Sequence, residues 1–312
     1  MSADGLKTVR DFVRYGVSRF TAAGLEFGHG TTTALDEAAF MVLEALHLPV
    51  DALEPWLDAR LTGEERTRLA SLIEARVTTR APAAYLLGRT YIGGVPFRSD
   101  ARAIVPRSFI GELMAGGLFG GEGFTLVEDS EAIVRVLDLC TGSGCLAILA
   151  ALIFPNARVD AIDLSADALA LAAENVEEHD LADRVNLIEG DLFAPLKGRL
   201  YDVIITNPPY VDAEAMAALP PEFRHEPALA FDGGPDGLDI VRRILAQAPA
   251  HLTARGGLIC EIGTGRELLE AEYPHLPFLW LDTEDSEGEV FWLPARDIGA
   301  GMDLRVISST PR

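Results

Sequence analysis

The strongest constraint on the fold is an alternation that begins near residue 135. From there, short apolar runs typical of buried strands alternate with stretches in which apolar residues recur at helical spacing. The predicted elements are strand Val136–Cys140, helix Cys145–Phe154, strand Arg158–Asp163, helix Ala166–Glu178, strands Val185–Glu189 and Asp202–Thr206, helix Leu238–Leu252 and strand Gly257–Ile262. Because alternating strands and helices bury such runs best with helices on both faces of a sheet, the sequence predicts an α/β fold with a mostly parallel sheet.

The segments outside this alternation predict two further units. Apolar residues recur at helical spacing through most of residues 1–90, and strand-like alternation replaces this pattern at Tyr91–Phe97 and Ala101–Val105. We therefore expect a helical domain over residues 1–90, a β-hairpin linker over 91–108 and the α/β domain over 109–312. Near the end, the runs Leu276–Leu281 and Val290–Leu293 flank an acidic stretch and predict an antiparallel hairpin that closes the sheet.

Charge and cysteine content exclude several classes of protein. The chain of 312 residues carries 26 Lys and Arg against 48 Asp and Glu, a net charge of −22, and most of this excess lies beyond residue 100. Such a chain is repelled by bare nucleic acid and by anionic lipid. No basic-then-apolar leader opens the sequence, and the uncharged stretch Leu139–Ala157 contains turn residues that argue against a membrane span. Three scattered cysteines give neither a disulfide framework nor metal-ligand spacing, so we expect a soluble cytoplasmic protein with no metal site.

A glycine-rich turn follows the first predicted strand of the α/β domain. The turn, Cys140–Gly144, would let a ligand approach bare backbone near the start of a helix. Asp163, at the end of the next strand, is suited to accept hydrogen bonds from ribose hydroxyls. Together they predict a nucleoside-containing cofactor, and because Gly142-x-Gly144-x-x-Ala147 also fits the dinucleotide fingerprint, NAD remains an alternative at this point.

Two further strand ends carry candidate site residues. After the third strand, Asp191 could accept a hydrogen bond from an adenine amino group while Leu192 packs on the ring, or it could simply begin a surface loop. Strand Asp202–Thr206 ends in Asn207-Pro208-Pro209-Tyr210, in which two prolines remove backbone donors and fix the loop in an extended shape. The Asn207 side-chain oxygen and the Pro208 carbonyl then offer two acceptors beside an aromatic ring, which suits a planar NH2 group.

This constellation resembles the class I S-adenosylmethionine-dependent methyltransferases, which implies a Rossmann-like, seven-stranded, mostly parallel sheet. The tetrapeptide resembles the signature of enzymes that methylate planar nitrogens. The resemblance implies that the target amide is bound and methylated at Asn207, Pro208, Pro209 and Tyr210, with Asn207, Pro208 and Tyr210 as the catalytic set. It also implies that S-adenosylmethionine, which leaves as S-adenosylhomocysteine, is held by Cys140, Thr141, Gly142, Ser143, Gly144, Asp163, Asp191, Leu192 and Asn207.

More residues resemble the protein-glutamine N5-methyltransferase family. These are Ile104–Ser108, Glu226–Leu229 and Gly233-Gly234-x-x-Gly237-Leu238. Within the family, Leu25–Thr31 and Asp36–Ala38 resemble the branch that acts on large-subunit ribosomal protein three, which implies that protein, free or in an assembling ribosome, as the partner. One departure is Cys140, where the wider family often has glycine. His29 is interpreted as a loop residue that caps the following helix.

Other functions remain open on the sequence alone. A nucleic-acid amino methyltransferase would use the same tetrapeptide, but the acidic α/β domain and the lack of a basic recognition domain argue against it and against a specific DNA partner. A release-factor glutamine methyltransferase would have a different helical domain. An NAD-binding oxidoreductase leaves Asn207–Tyr210 without a role, and a non-catalytic cofactor-binding subunit does not explain why the acceptor pair is intact.

Overall fold

The computed structural model describes residues 5–120, 124–283 and 286–298. The chain begins with four helices, α1 (Val9–Ala23), α2 (Ala34–Ala45), α3 (Gly63–Thr79) and α4 (Ala83–Leu87). Threonine side chains cap the first three by accepting hydrogen bonds from backbone N–H groups of the first turn, at Thr8, Thr33 and Thr62. These helices enclose a core of their own, to which Phe12, Phe20, Val42 and Ile73 contribute. The predicted boundaries of a helical domain over residues 1–90 stay a prediction.

A short antiparallel hairpin follows the helices. Its strands are β1 (Arg89–Ile92) and β2 (Val95–Arg98), joined by Gly93 and Gly94, which both adopt the left-handed conformation that this two-residue turn requires. The strand expected at Ala101–Val105 is absent, so that prediction was wrong. Its alternation has another cause: Ala103 and Val105 are buried, but the Val105 N–H donates to a glutamate side chain instead of a neighbouring strand.

Seven strands form the main sheet, as expected. They are β3 (Arg135–Leu139), β4 (Arg158–Asp163), β5 (Val185–Glu189), β6 (Tyr201–Thr206), β7 (Leu252–Glu261), β8 (Leu279–Leu281) and β9 (Val290–Pro294). Their spatial order is β5-β4-β3-β6-β7-β9-β8, in which β3 to β7 pair in parallel and β9 runs antiparallel to both β7 and β8. The antiparallel closing hairpin is therefore confirmed, although residues 284–285 of its acidic connection lie outside the described residues.

Helices cover both faces of this sheet. The covering helices are α5 (Phe109–Ala115), α6 (Cys145–Ile153), α7 (Ala166–Glu178), α9 (Asp239–Gln247) and α10 (Arg266–Glu272), whereas the short helix α8 (Ala213–Ala218) buries none of its residues. One apolar core forms between the sheet and helices α5 to α7, and a second forms between the sheet and helices α9 and α10. Because the sheet is covered on both faces, strands such as β3 and β6 are buried along almost their whole length, as the continuous apolar runs predict.

Several boundaries of the α/β domain differ from the sequence-based expectation by one to three residues, and two differ by five. The helix expected over Leu238–Leu252 ends at Gln247 and passes into a 3-10 turn, Ala248–His251, that contains Pro249. The following strand begins at Leu252 and not at Gly257, because its first residues extend the pairing with β6. No helix in the described ranges is both long enough and apolar enough to cross a membrane.

Candidate active site

Two adjoining cavities open at the carboxyl ends of the parallel strands. The first has a volume of about 270 Å³ and the second about 170 Å³. Residues shared by both walls include Cys140, at the end of β3, and Asn207, at the end of β6. Since β3 connects to β4 on one side and pairs with β6 on the other, the cavities lie where the strand order reverses, which is the usual ligand position in such sheets.

The glycine-rich turn lies between the cavities in a left-handed conformation. The φ angles of Cys140, Gly142 and Gly144 are 58°, 55° and 82°. A Cβ at Gly142 would meet nothing within 4 Å, whereas one at Gly144 would lie 3.1 Å from Ala172 of α7. Gly142 therefore leaves space for a ligand in both cavities, while Gly144 lines neither and lets the turn pack on α7. Thr141, Ser143 and Cys140 line the first cavity. The backbone of Cys140 has a left-handed conformation that favours glycine.

The acidic residues Asp163 and Asp191 line the second cavity. Asp163 accepts hydrogen bonds from the backbone N–H groups of Gly142 at 2.8 Å and Ser165 at 2.9 Å, and burial raises its pKa. Each carboxylate oxygen accepts one of these bonds and retains capacity for another. Asp191 and the buried Leu192 line the same cavity, but the Asp191 carboxylate is half exposed and pairs with Arg243 at 2.7 Å, a partner that sequence reasoning did not find.

The tetrapeptide lies at the junction of the two cavities. Asn207 lines both, Pro208 and Tyr210 line the first, and Pro209 lines the second, on the side of Asp163. The Asn207 Nδ2 group donates to the Arg107 carbonyl at 3.5 Å. Because a carbonyl oxygen only accepts, this contact identifies the NH2 end of the side chain and leaves the Asn207 Oδ1 atom as an acceptor for a ligand.

Tyr210 is held by a buried carboxylate at the end of β7. Its hydroxyl donates to Glu261 Oε1 at 3.2 Å, and the Ser108 hydroxyl donates to Glu261 Oε2 at 2.8 Å. Burial raises the pKa of Glu261 to about 7, even though these two hydroxyls oppose the shift. Burial, together with the nearby Glu261 carboxylate, also raises the pKa of Tyr210, so its hydroxyl stays protonated and its ring forms a fixed wall.

A covering segment, residues 219–231, closes the first cavity and was not predicted. Its residues Phe223 and Phe231 line the cavity, and the Arg107 guanidinium lies 5.4 Å and 5.5 Å from the centroids of their rings. Both oxygens of Glu226, in the same segment, accept hydrogen bonds from Arg107 at 2.9 Å. Arg107 and Glu226 lie in the segments Ile104–Ser108 and Glu226–Leu229, which resemble the protein-glutamine N5-methyltransferase family. That resemblance assigned these two residues no role.

His29 belongs to this cluster and does not cap a helix. Thr33 caps α2, whereas His29 is buried, with its ring centroid 4.3 Å from that of Phe223 and Nε2 3.1 Å from Glu226 Oε2. Burial raises the pKa of Glu226, but the contacts with His29 and Arg107 outweigh burial and hold this pKa below its ordinary value. Over the ranges that the structure describes, no group of His, Cys, Asp and Glu is arranged to hold a metal ion.

The chain is similar to known proteins over most of its length. Residues 125–222 match the family model described as methyltransferase small domain. A ribosomal protein uL3 glutamine methyltransferase of Bradyrhizobium diazoefficiens is 63% identical, covering 94% of this chain and 92% of its own. One of Bordetella pertussis is 54% identical, covering 92% and 95%. Among solved structures, a methyltransferase from Pyrococcus furiosus is 17% identical, with a TM-score of 0.48, covering 73% of this chain and 98% of its own.

These relatives support the interpretation based on glutamine and give no support to the nucleic-acid, release-factor or oxidoreductase alternatives. The α/β fold with its mostly parallel sheet of seven strands is confirmed by the structure, and the catalytic domain is that of a methyltransferase. The chain belongs to the family of ribosomal protein uL3 glutamine methyltransferases.

Proposed function

We propose that this protein transfers a methyl group from S-adenosylmethionine to the side-chain amide nitrogen of a glutamine in ribosomal protein uL3. The observation that carries the proposal is the position of Asn207, which lines both cavities with its Oδ1 atom available as an acceptor. A cofactor in one cavity and an amide in the other would meet beside this residue. The substrates named for the relatives at 63% and 54% identity support uL3 as the protein substrate.

The second cavity has the donors and acceptors that S-adenosylmethionine needs. Asp163 would accept hydrogen bonds from the ribose hydroxyls, and Asp191 and Leu192 would bind the adenine ring. The methionine part of the cofactor would extend from the second cavity past Gly142, where a missing Cβ leaves open space, toward Cys140, Thr141 and Ser143 in the wall of the first. When bound, S-adenosylmethionine supplies an electrophilic methyl group on its sulfonium sulfur.

The first cavity has lining groups that suit a carboxamide under this proposal. An amide nitrogen is a poor nucleophile because its lone pair is delocalised into the carbonyl. Asn207 Oδ1 and the Pro208 carbonyl would accept the two N–H groups of the target, and the Tyr210 ring would support its plane. Held in this way, the lone pair is turned toward the second cavity, and positioning of this kind can lower a barrier by several kcal/mol.

No strong base is required for this reaction. The proton can leave after methyl transfer, when the nitrogen carries a positive charge and is strongly acidic. Glu261, the buried carboxylate near the first cavity, already accepts hydrogen bonds from Tyr210 and Ser108. We therefore assign Glu261 to holding the Tyr210 wall and leave the proton to solvent.

We also propose that residues 1–90 select the protein substrate. Residues 1–100 carry 11 basic and 13 acidic side chains, whereas residues 101–312 carry 15 and 35. A nearly neutral helical part can approach a ribosomal protein or nascent ribosome with little repulsion, and the acidic catalytic part attracts a basic protein. The proposal assigns this reaction to the cytoplasm, where ribosomal proteins are made.

The experiment that tests the function uses the purified protein, S-adenosylmethionine and purified uL3, with release factor and RNA as competing substrates. We expect mass spectrometry of uL3 to find one methyl group on one glutamine, and the same transfer to be much slower with Asn207→Ala under the same conditions. Isothermal titration with S-adenosylmethionine and NAD checks the cofactor. Methylation of release factor or RNA in place of uL3, or binding of NAD alone, would overturn the proposal.

A further inference from the structure

Glu226 makes contacts that reach across the chain to the site. Its side chain is fully buried, and Oε1 accepts a hydrogen bond from the Val105 N–H at 2.8 Å. Both of its oxygens accept from the Arg107 guanidinium at 2.9 Å. One carboxylate therefore fixes both the backbone and the side chain of the segment on either side of Pro106.

That segment carries the carbonyl that orients Asn207. The Arg107 oxygen accepts from Asn207 Nδ2 at 3.5 Å, which leaves Oδ1 for the target amide. The contact is long, so its direction depends on how firmly residues 105–107 are held. Without Glu226, the Val105 N–H and the Arg107 guanidinium would lose their partner, and the carbonyl could rotate away from Asn207.

The N-terminal helices hold Glu226 from the other side. His29 Nε2 lies 3.1 Å from Glu226, and a Cβ at Gly28 would lie 3.3 Å from the Phe223 ring. Four residues before Glu226, the Glu222 carboxylate accepts from the Glu26 N–H at 3.1 Å and pairs with Arg80 at 2.8 Å. The loop before α2 and Arg80 thus hold the covering segment in place where it lines the first cavity.

We propose that Glu226 is a positioning residue for the methyl-transfer reaction. It holds residues 105–107 so that the Arg107 carbonyl keeps the Asn207 oxygen turned toward the target amide, with His29 in the loop before α2 supporting it. This inference rests on the proposed function, since it assigns Asn207 the role of amide acceptor. It gives the N-terminal helices a part in forming the site in addition to substrate selection.

Glu222 offers a matched control within the same segment. Both glutamates are fully buried and ion-paired with an arginine, and both join the covering segment to the N-terminal helices. Only Glu226 contacts Val105 and Arg107. A purely structural role would therefore give similar consequences for Glu222→Gln and Glu226→Gln.

The test is a double-mutant cycle on the full chain, with uL3 and S-adenosylmethionine as substrates. We expect Glu226→Gln to lower kcat about tenfold and to leave its KM for S-adenosylmethionine within about twofold of wild type. The kcat of Glu222→Gln should also stay within about twofold of wild type. In an Asn207→Ala background, adding Glu226→Gln should change kcat by less than about twofold, because the group through which it acts is gone.

A second readout is independent of activity. The side-chain NH2 resonances of Asn207, identified by their loss in Asn207→Ala, should shift in Glu226→Gln and stay in place in Glu222→Gln. Unshifted resonances, a wild-type kcat, or an equal loss of kcat with and without Asn207 would overturn the inference. A wild-type protein that leaves uL3 unmodified would instead overturn the proposed function, while the resonances would still test the positioning.

Discussion

Replacing Glu261 by glutamine should change how stability depends on pH. Burial raises the pKa of this carboxyl from 4.5 to about 7, while Ser108, Tyr210 and the backbone N–H groups of Phe109 and Ile110 act in the opposite direction. Between pH 4.5 and pH 7 the unfolded chain therefore releases a proton that the folded protein retains. Unfolding is favoured by this release, so this residue lowers the stability of the wild type as pH rises through that window.

The size of the effect follows from the two pKa values. A tenfold change in proton affinity is worth roughly 1.4 kcal/mol, so the full destabilisation reaches about 3 kcal/mol above pH 7 and is absent well below pH 4.5. Glutamine does not titrate. The free energy of unfolding of Glu261→Gln, measured relative to wild type, should thus rise by roughly 2–3 kcal/mol between pH 5 and pH 8.

Urea denaturation at several pH values measures this difference. Asp138, whose pKa burial also raises to about 7, titrates in both proteins and cancels in the comparison. Glu74 provides a control of opposite sign, because its hydrogen bond from Arg19 lowers its pKa below 4.5. Any stability that Glu74 contributes is therefore complete above that value, and Glu74→Gln should differ from wild type by a constant amount from pH 5 to pH 8. A constant difference for Glu261→Gln would refute the reasoning.

The remaining predictions concern the cavities and the helices. Asn207→Ala should lose about 2–4 kcal/mol of transition-state stabilisation in single-turnover assays, with little change in cofactor affinity. Asn207→Asp should retain more activity than Asn207→Ala if acceptor geometry dominates over charge. Asp163→Ala should weaken S-adenosylmethionine binding by roughly 1–3 kcal/mol in isothermal titration. Glu37→Gln removes the negative charge that pairs with the fully buried Arg76 at 2.7 Å, and should lower the free energy of unfolding by about 3–5 kcal/mol in urea. Exchange of residues 1–90 for the helical domain of a release-factor enzyme should redirect methylation, as mass spectrometry of both substrates would detect.

Each of these has a clear contrary result. Wild-type rates in Asn207→Ala would make the tetrapeptide a rigid loop without a catalytic part. Unchanged titrations of Asp163→Ala would remove the carboxylate from the ribose site. A stable Glu37→Gln would mean that Arg76 has other compensation, and a chimera that still modifies uL3 would locate substrate selection in the catalytic domain.

The chain's local patterns predicted most of the elements correctly. Strand Arg158–Asp163, helix Ala166–Glu178 and strand Val185–Glu189 have the predicted bounds, because short apolar runs and the serine cap of the helix, Ser165, leave a signal within a few residues. The expected strand at Ala101–Val105 shows the limit of this reasoning. Its alternating burial is real, but the partner of its backbone is Glu226, 121 residues away, and no local pattern reports such a partner.

The same distinction separates the two halves of the candidate site. The sequence by itself determined where the glycine turn, Asp163 and Asn207 lie in the fold. Each of them lies at the end of a strand that a short run of apolar residues predicts. Only the tertiary structure decided that Arg107 orients Asn207, that Glu261 holds Tyr210 and that the N-terminal helices press the covering segment onto the cavity. These contacts join residues 100, 51 or as many as 197 positions apart. Such contacts are selected by the packing of the whole chain, since hydrogen bonds of buried groups must be satisfied by whatever the fold brings near them.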